Sequence, residues 1–249
     1  MSSDRRTPGQ PGEYADPGAK AVRPRDAATL IIVRQGDTPR ILMGKRAASH
    51  KFMPNKFVFP GGRRDPCDSR IDAPHALRAP VLRRLERHTG AAMNAARLRG
   101  LALAAIRETF EETGLVLGHA AARPPRSRNA DCGRYFAHGV VPPLDQMDFI
   151  ARAITPTYRT RRFDTRFFLA YAEQLFTDPE RINASGELLD LHWLTLDEAR
   201  KRDLPIITRD MLDIVAARLK LPRAARFRAP APFFRFRNGR TLTEMLHSS

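Results

Sequence analysis

The stretch Arg107-Glu108-Thr109-Phe110-Glu111-Glu112-Thr113-Gly114-Leu115 decides how the rest of this chain is read. Ala104, Ala105 and Ile106 lead into it as helix-compatible residues, and Gly114 is the residue that most often ends a helix in a left-handed cap. On one helix, Glu108 has Glu111 at i+3 and Glu112 at i+4, so three carboxylates point toward one region of space. Like charges so placed repel unless something positive sits among them. A hard divalent cation with oxygen ligands, Mg²⁺ or Mn²⁺, meets that need. Arg107 and Glu111 also form an i, i+4 pair that would fix one carboxylate rotamer. The plain alternative is a solvated acidic helix face.

Upstream, Phe57-Val58-Phe59-Pro60-Gly61-Gly62 reads as a short apolar strand ending in a Pro-Gly-Gly turn. Together the two segments resemble the Nudix box, G-x5-E-x7-R-E-U-x-E-E-x-G-U with U a bulky apolar residue. That box is the signature of enzymes that hydrolyse a diphosphate linked to another moiety. Gly62 matches its first glycine, and Arg107, Glu108, Glu111, Glu112, Gly114 and Leu115 match its second half; Thr109 replaces the first apolar residue. The resemblance implies a Nudix α/β/α sandwich, with a mixed sheet between helices. It implies Glu108, Glu111 and Glu112 as metal ligands, the Gly61 carbonyl as a further ligand, and Arg107 as the residue that orients Glu111. In related enzymes the proton acceptor comes from the box helix or from a later loop. Here the later candidate is Glu187, in Gly186-Glu187-Leu188, with an ordinary loop glutamate as the alternative.

The box is interrupted. Residues 63–106, 44 in all, separate Gly62 from Arg107 where the pattern has 13, so about 31 are inserted. Counted forward, the pattern's first glutamate falls on Asp68; counted back from Arg107, it falls on Arg99. Arg99 cannot ligate a cation, and Asp68 could reach the site only if the loop folds back. Residues 72–88, apolar at Ala76, Leu77, Val81, Leu82 and Leu85 with arginines between, predict an amphipathic helix inside the insertion. Such an insert is expected beside the active site, either shaping substrate entry or simply packing there.

A second resemblance bears on the substrate. Coenzyme A diphosphatases of the Nudix family carry L-L-T-x-R-[SA]-x3-R-x3-G-x3-F-P-G-G ahead of the box. This chain keeps the spacing with Leu42, Met43, Gly44, Arg46, Ala47, Lys51, Asn55 and Phe59-Pro60-Gly61-Gly62. Lys51 stands for an arginine, Asn55 for a glycine, and Met43 and Gly44 depart at the start. Arg46 and Lys51, with Gly61 and Gly62, are therefore the candidate substrate-binding residues, the arginine as a fork and the lysine as a point charge. The long insertion, Phe52-Met53-Pro54 and Arg161-Arg162-Phe163-Asp164-Thr165-Arg166-Phe167-Phe168 look most like the peroxisomal coenzyme A diphosphatase branch and its bacterial relatives. That implies cleavage of coenzyme A or acyl-coenzyme A to adenosine 3′,5′-bisphosphate and a 4′-phosphopantetheine. The alternatives are the same chemistry on ADP-ribose or another nucleoside diphosphate derivative, and a non-catalytic Nudix-fold module that binds a ligand or RNA.

Composition is compatible with these readings without selecting among them. The 249 residues are 42% apolar, enough for a core, and no apolar run approaches the ~20 residues of a membrane span. No apolar signal stretch opens the chain, and the final Leu246-His247-Ser248-Ser249 is not a Ser-Lys-Leu address. Two cysteines, Cys67 and Cys132, argue against a disulfide framework or zinc site and make a reducing cytoplasm the default. The net charge of +16, carried by 43 Lys and Arg, would draw in a polyanionic small-molecule substrate such as coenzyme A. With no nucleic-acid signature beside it, only weak nonspecific nucleic-acid binding is expected. No membrane partner is expected, and a homodimer is left open.

Along the chain, residues 1–25 read as a disordered Pro/Gly-rich basic arm, 26–222 as the Nudix domain with the insertion at 63–100, and 223–249 as a basic, Phe-containing tail. Strands are expected at 27–33, 40–45, 57–59, 166–173 and 188–194. The box helix is expected from about Ala96 to Thr113, and further helices at 147–153, 196–202 and 207–219. The tail phenylalanines are expected to dock on the domain or on a second subunit.

Overall fold

The computed structural model describes residues 13–16, 18–50, 52–127, 129–184 and 186–248. Its centre is strand β1 (Arg25–Arg34). Alternation places Ala28, Leu30 and Ile32 in one core and Ile31 and Val33 in another, so this strand is buried on both faces. Each of these large apolar side chains contributes about 1.5–3 kcal/mol by leaving water. β2 (Arg40–Arg46) returns antiparallel to β1, followed by the short strands β3 (Phe57–Val58) and β4 (Gly61–Arg63), the latter pairing β1. β7 (Asp148–Ile154), β8 (Phe163–Tyr171), β9 (Leu188–Thr195), β10 (Ala231–Arg237) and β11 (Arg240–Leu246) complete the nine-stranded sheet. Its order is β11-β10-β7-β8-β1-β2-β3, with β4 on β1 and β9 on β2. β1 runs parallel to β8 and β10 parallel to β7, while the other pairings are antiparallel, so the sheet is mixed. A separate two-stranded piece joins β5 (His119–Ala120) to β6 (Val140–Val141).

Helices cover both faces. α2 (Ala95–Thr113) and α3 (Ala130–Phe136) lie over one, α4 (Leu196–Arg200) and α5 (Ile206–Leu219) over the other, giving the expected α/β/α sandwich. α2 starts where Asn94 accepts from the Arg97 N–H at 3.0 Å, a cap that contributes about 1 kcal/mol. It ends at Gly114, whose φ of 72° is the left-handed region glycine enters without strain. Thr109, the departure from the family pattern, is fully buried and donates its hydroxyl to the Ala105 carbonyl at 2.8 Å.

Three expectations change. Residues 147–153, expected as a helix, are strand β7: Phe149 faces one core and Ile150 and Ala151 the other, so the apolar run reflects burial on both sides. The insertion's helix is shorter than expected, α1 (Ala79–Glu86), with Val81 and Leu85 buried. The segment 223–249 forms α6 (Arg223–Arg226) and the β10–β11 hairpin, which continue the sheet beside β7. Phe227 and Phe233 sit in the core, so the phenylalanines dock on the chain's own domain. In the expected disordered arm, residues 1–12 lie outside the described residues. Glu13, however, is buried and accepts from the Met53 N–H at 2.7 Å and from Arg159 at 2.8 Å, because a buried guanidinium needs a counter-charge.

The insertion is tied to β7 and to the segment after α6 through Arg84 on α1, which is fully buried. It donates to Asp148 on β7 at 2.6 Å and to the Phe227 carbonyl at 2.6 Å, and Arg218 reaches the same aspartate at 3.4 Å. Burial pushes the Asp148 carboxyl up to about 6 against the pull of its two arginines. Removing one member leaves charge buried without its partner. Arg84→Ala is therefore expected to lower the unfolding free energy by roughly 3 kcal/mol, read by urea denaturation. A midpoint equal to wild type would show that the pair holds nothing.

Candidate active site

The last turns of α2 face the turn that precedes and forms β4. Gly62 sits so close to the helix that a Cβ there would meet the Glu108 carboxyl carbon at 2.3 Å; only glycine leaves Glu108 its place. One step earlier the Gly61 N–H donates to Glu112 Oε2 at 2.8 Å. The sequence pairing of these glycines with the glutamates is thus a spatial contact across the 44-residue interruption.

Arg107 organises the rest. Its Nη1 donates to both oxygens of Glu111, at 3.0 and 3.1 Å, and lies 3.0 Å from Glu108 Oε1. Its Nε and Nη2 grip the two oxygens of Asp68 at 2.9 and 3.1 Å, and Nη2 also donates to the Arg63 carbonyl at 3.0 Å. Asp68 is fully buried, so the loop does fold back, and the forward count from Gly62 is the one the structure follows. Asp68 does not face a cation site; both oxygens are taken by Arg107. Sequence alone left two candidate positions, and the signal that would have chosen was the intact spacing from Gly62.

The carboxylates are strained electrostatically. Burial pushes Glu108 up to about 7, with Arg107 opposing, and Glu112 up to about 8, with the Gly61 N–H opposing. Glu111 is also raised, by burial ahead of Arg107. Such groups fit a divalent cation, which would supply the positive charge that Arg107 alone does not. Glu108 and Glu111 meet at Arg107, whereas Glu112 turns to the Gly61 amide, so the three are neighbours rather than a closed cage. Another trio, Cys67, Asp68 and Cys132, has ligand-type atoms within 4.8 Å of one another. It does not fit a cation, because Arg107 occupies Asp68 and burial raises both thiols.

Of the substrate-motif residues, Arg46 is near enough to Glu112 for its charge to act on that carboxyl. Arg46 ends β2 and donates to His50 Nδ1 at 3.2 Å, and burial and Arg46 both lower the His50 pKa. Glu187 lines the same cleft and is near enough to add its charge to that of Glu112. Asn55, where the family motif has glycine, takes φ 60°, a left-handed conformation that asparagine tolerates better than most side chains. Lys51 lies outside the described residues. His50 was not singled out from the sequence; nothing but its place four residues after Arg46 pointed to it.

Arg46, His50, Glu187 and the three box glutamates open into one cleft of 1140 Å³. Glu108, Glu111 and Glu112 line it, as do the apolar Phe52, Val58 and Phe163 and, from the insertion, Gly90 and Met93. Residues 63–106 therefore border the site.

No family model matches the chain. It is 28% identical over 181 residues to “Putative nudix hydrolase 7” of Caenorhabditis elegans, a match covering 68% of this chain and 51% of that protein. The chain thus spans about half the length of that curated relative. A crystal structure of a NUDIX hydrolase from Alicyclobacillus acidocaldarius superposes with a TM-score of 0.57 at 26% identity, covering 78% of this chain and 92% of that one. In fold, in signature residues and in these two likenesses the chain is similar to Nudix hydrolases.

Proposed function

We propose that the protein is a divalent-metal-dependent diphosphate hydrolase acting on coenzyme A or acyl-coenzyme A. The observation that carries the reaction class is the assembly of Glu108, Glu111 and Glu112 around Arg107 and the Gly61-Gly62 turn, in a cleft large enough for a nucleotide derivative. Glu108, Glu111 and Glu112, with the Gly61 carbonyl, would hold Mg²⁺ or Mn²⁺. When bound, the cation supplies positive charge against the diphosphate oxygens and makes an attacking water more acidic. Arg107, anchored by Asp68, keeps Glu111 in one rotamer throughout. Glu187, which lines the cleft, is the proposed proton acceptor; Glu187→Gln should then cut kcat, whereas an acceptor on the box helix leaves that variant active. Arg46 and Lys51 are the proposed phosphate contacts.

The choice of coenzyme A rests on the spacing from Leu42 to Gly62 and on the apolar lining residues, which suit a pantetheine or acyl arm. The test is kcat/KM with Mn²⁺ for coenzyme A, an acyl-coenzyme A and ADP-ribose. The expected result is higher efficiency on the coenzyme A pair, with adenosine 3′,5′-bisphosphate as a product. Higher efficiency on ADP-ribose would replace the substrate while leaving the chemistry. Tight RNA binding that is insensitive to salt, with no turnover of any substrate, would favour a non-catalytic module.

A further inference from the structure

We propose that the cleft carries a second anion subsite, centred on Arg25 and Arg63 and flanked by Arg23 and Arg161, which receives a phosphoryl group on the substrate's ribose. The inference rests on the diphosphatase reading above and adds a specificity element to it. All four arginines line the same cleft as the box glutamates. Strand register brings them together: Arg63 on β4 pairs with Ala27 on β1, and Arg25 pairs with Phe163 at the start of β8, beside Arg161. Gly61 pairs with Thr29, so Arg63 stands two residues and Arg25 four residues along the sheet from the Gly61 turn, roughly 7 and 13 Å of strand. A phosphate one sugar away from a diphosphate at that turn falls within this span.

Charge separates these arginines from their neighbours. Arg152 and Arg166 are held by Asp164 at 2.7 and 3.1 Å, and Asp26 serves Arg64, Arg97 and Arg166. Those guanidiniums are structural and still outnumber their carboxylates. Arg23, Arg25, Arg63 and Arg161 are exposed, and their side chains have no carboxylate partner among the described residues. Exposed guanidiniums gathered in one concavity repel one another until an anion arrives, as the box glutamates do until a cation arrives. The surface is a concave end of a single cleft, which fits a small phosphorylated ligand better than the long stripe a nucleic-acid backbone follows.

Calorimetry with adenosine 3′,5′-bisphosphate and adenosine 5′-monophosphate, in Mg²⁺, tests this without requiring turnover. Wild type is expected to bind the bisphosphate roughly ten-fold more tightly, and Arg25→Gln/Arg63→Gln to reduce that ratio to about two or less. Arg25→Lys/Arg63→Lys, which keeps the charge, should retain part of it. With coenzyme A and its 3′-dephospho form, the ratio of kcat/KM should fall in parallel. If coenzyme A is not hydrolysed yet the nucleotide preference exists and is lost in the glutamine variant, the subsite stands and the reaction assignment fails. Equal wild-type affinity for the two nucleotides overturns the subsite. So does a glutamine variant that loses salt-dependent binding of single-stranded RNA but keeps the nucleotide preference.

Discussion

Glu112→Gln is expected to lower kcat by a factor of roughly 1,000 or more while leaving the protein at least as stable as wild type. The two halves of that result have one cause. Glu112 is 4% exposed, and burial pushes its carboxyl from 4.5 up to about 8. A charge there is costly to the empty site and is wanted only by a cation. Glutamine keeps an acceptor for the Gly61 N–H and removes the charge. The sign follows by linkage: a carboxyl whose folded pKa is raised contributes stability below its unfolded pKa and loses it as pH climbs toward the folded value. Thermal midpoints of metal-free wild type should therefore fall between about pH 5 and 8, more steeply than those of Glu112→Gln. Cation affinity should rise over the same window, because protons must leave Glu108 and Glu112 first. Unchanged turnover in Glu112→Gln would remove this glutamate from the metal site.

Asp68→Ala carries the second largest expected effect. Asp68 takes two hydrogen bonds from Arg107 and one from the Asp65 N–H at 2.8 Å, all without solvent exposure. Without it, Arg107 keeps Glu108, Glu111 and the Arg63 carbonyl but loses the anchor that sets its direction. A loss of roughly 100-fold in kcat and about 2–3 kcal/mol in stability is expected. Arg99→Ala, at the position reached by counting back through the box, should leave kcat near wild type. If instead the Arg99 variant loses activity and the Asp68 variant keeps it, the role given to Asp68 is wrong.

Most of what positions the site could be read from local sequence. β1 and β2 have apolar runs of strand length, and α2 has a cap at each end, so short-range chemistry fixed their places within a residue or two. The glycine turn and the glutamates could be joined across the insertion because the family signature survives on both sides. What escaped was decided by distant partners. β7 looks helical because its apolar residues serve two cores at once, and the β10–β11 hairpin looks like a basic tail until β7 offers it an edge. α3, between the two strands of the small sheet, has no counterpart among the helices expected from sequence. Arg23, Arg25 and Arg63 were visible only as net charge; β1, β4 and β8 bring them together with Arg161 in register.

The central claim is cation-dependent cleavage of a diphosphate at Glu108, Glu111 and Glu112. Its most direct test is to strip the protein of metal, add coenzyme A, and resolve the products by chromatography before and after adding Mn²⁺. No cleavage is expected before, and adenosine 3′,5′-bisphosphate and 4′-phosphopantetheine in equal amounts after. Cleavage at the same rate without the cation, or an intact diphosphate with it, would contradict the account.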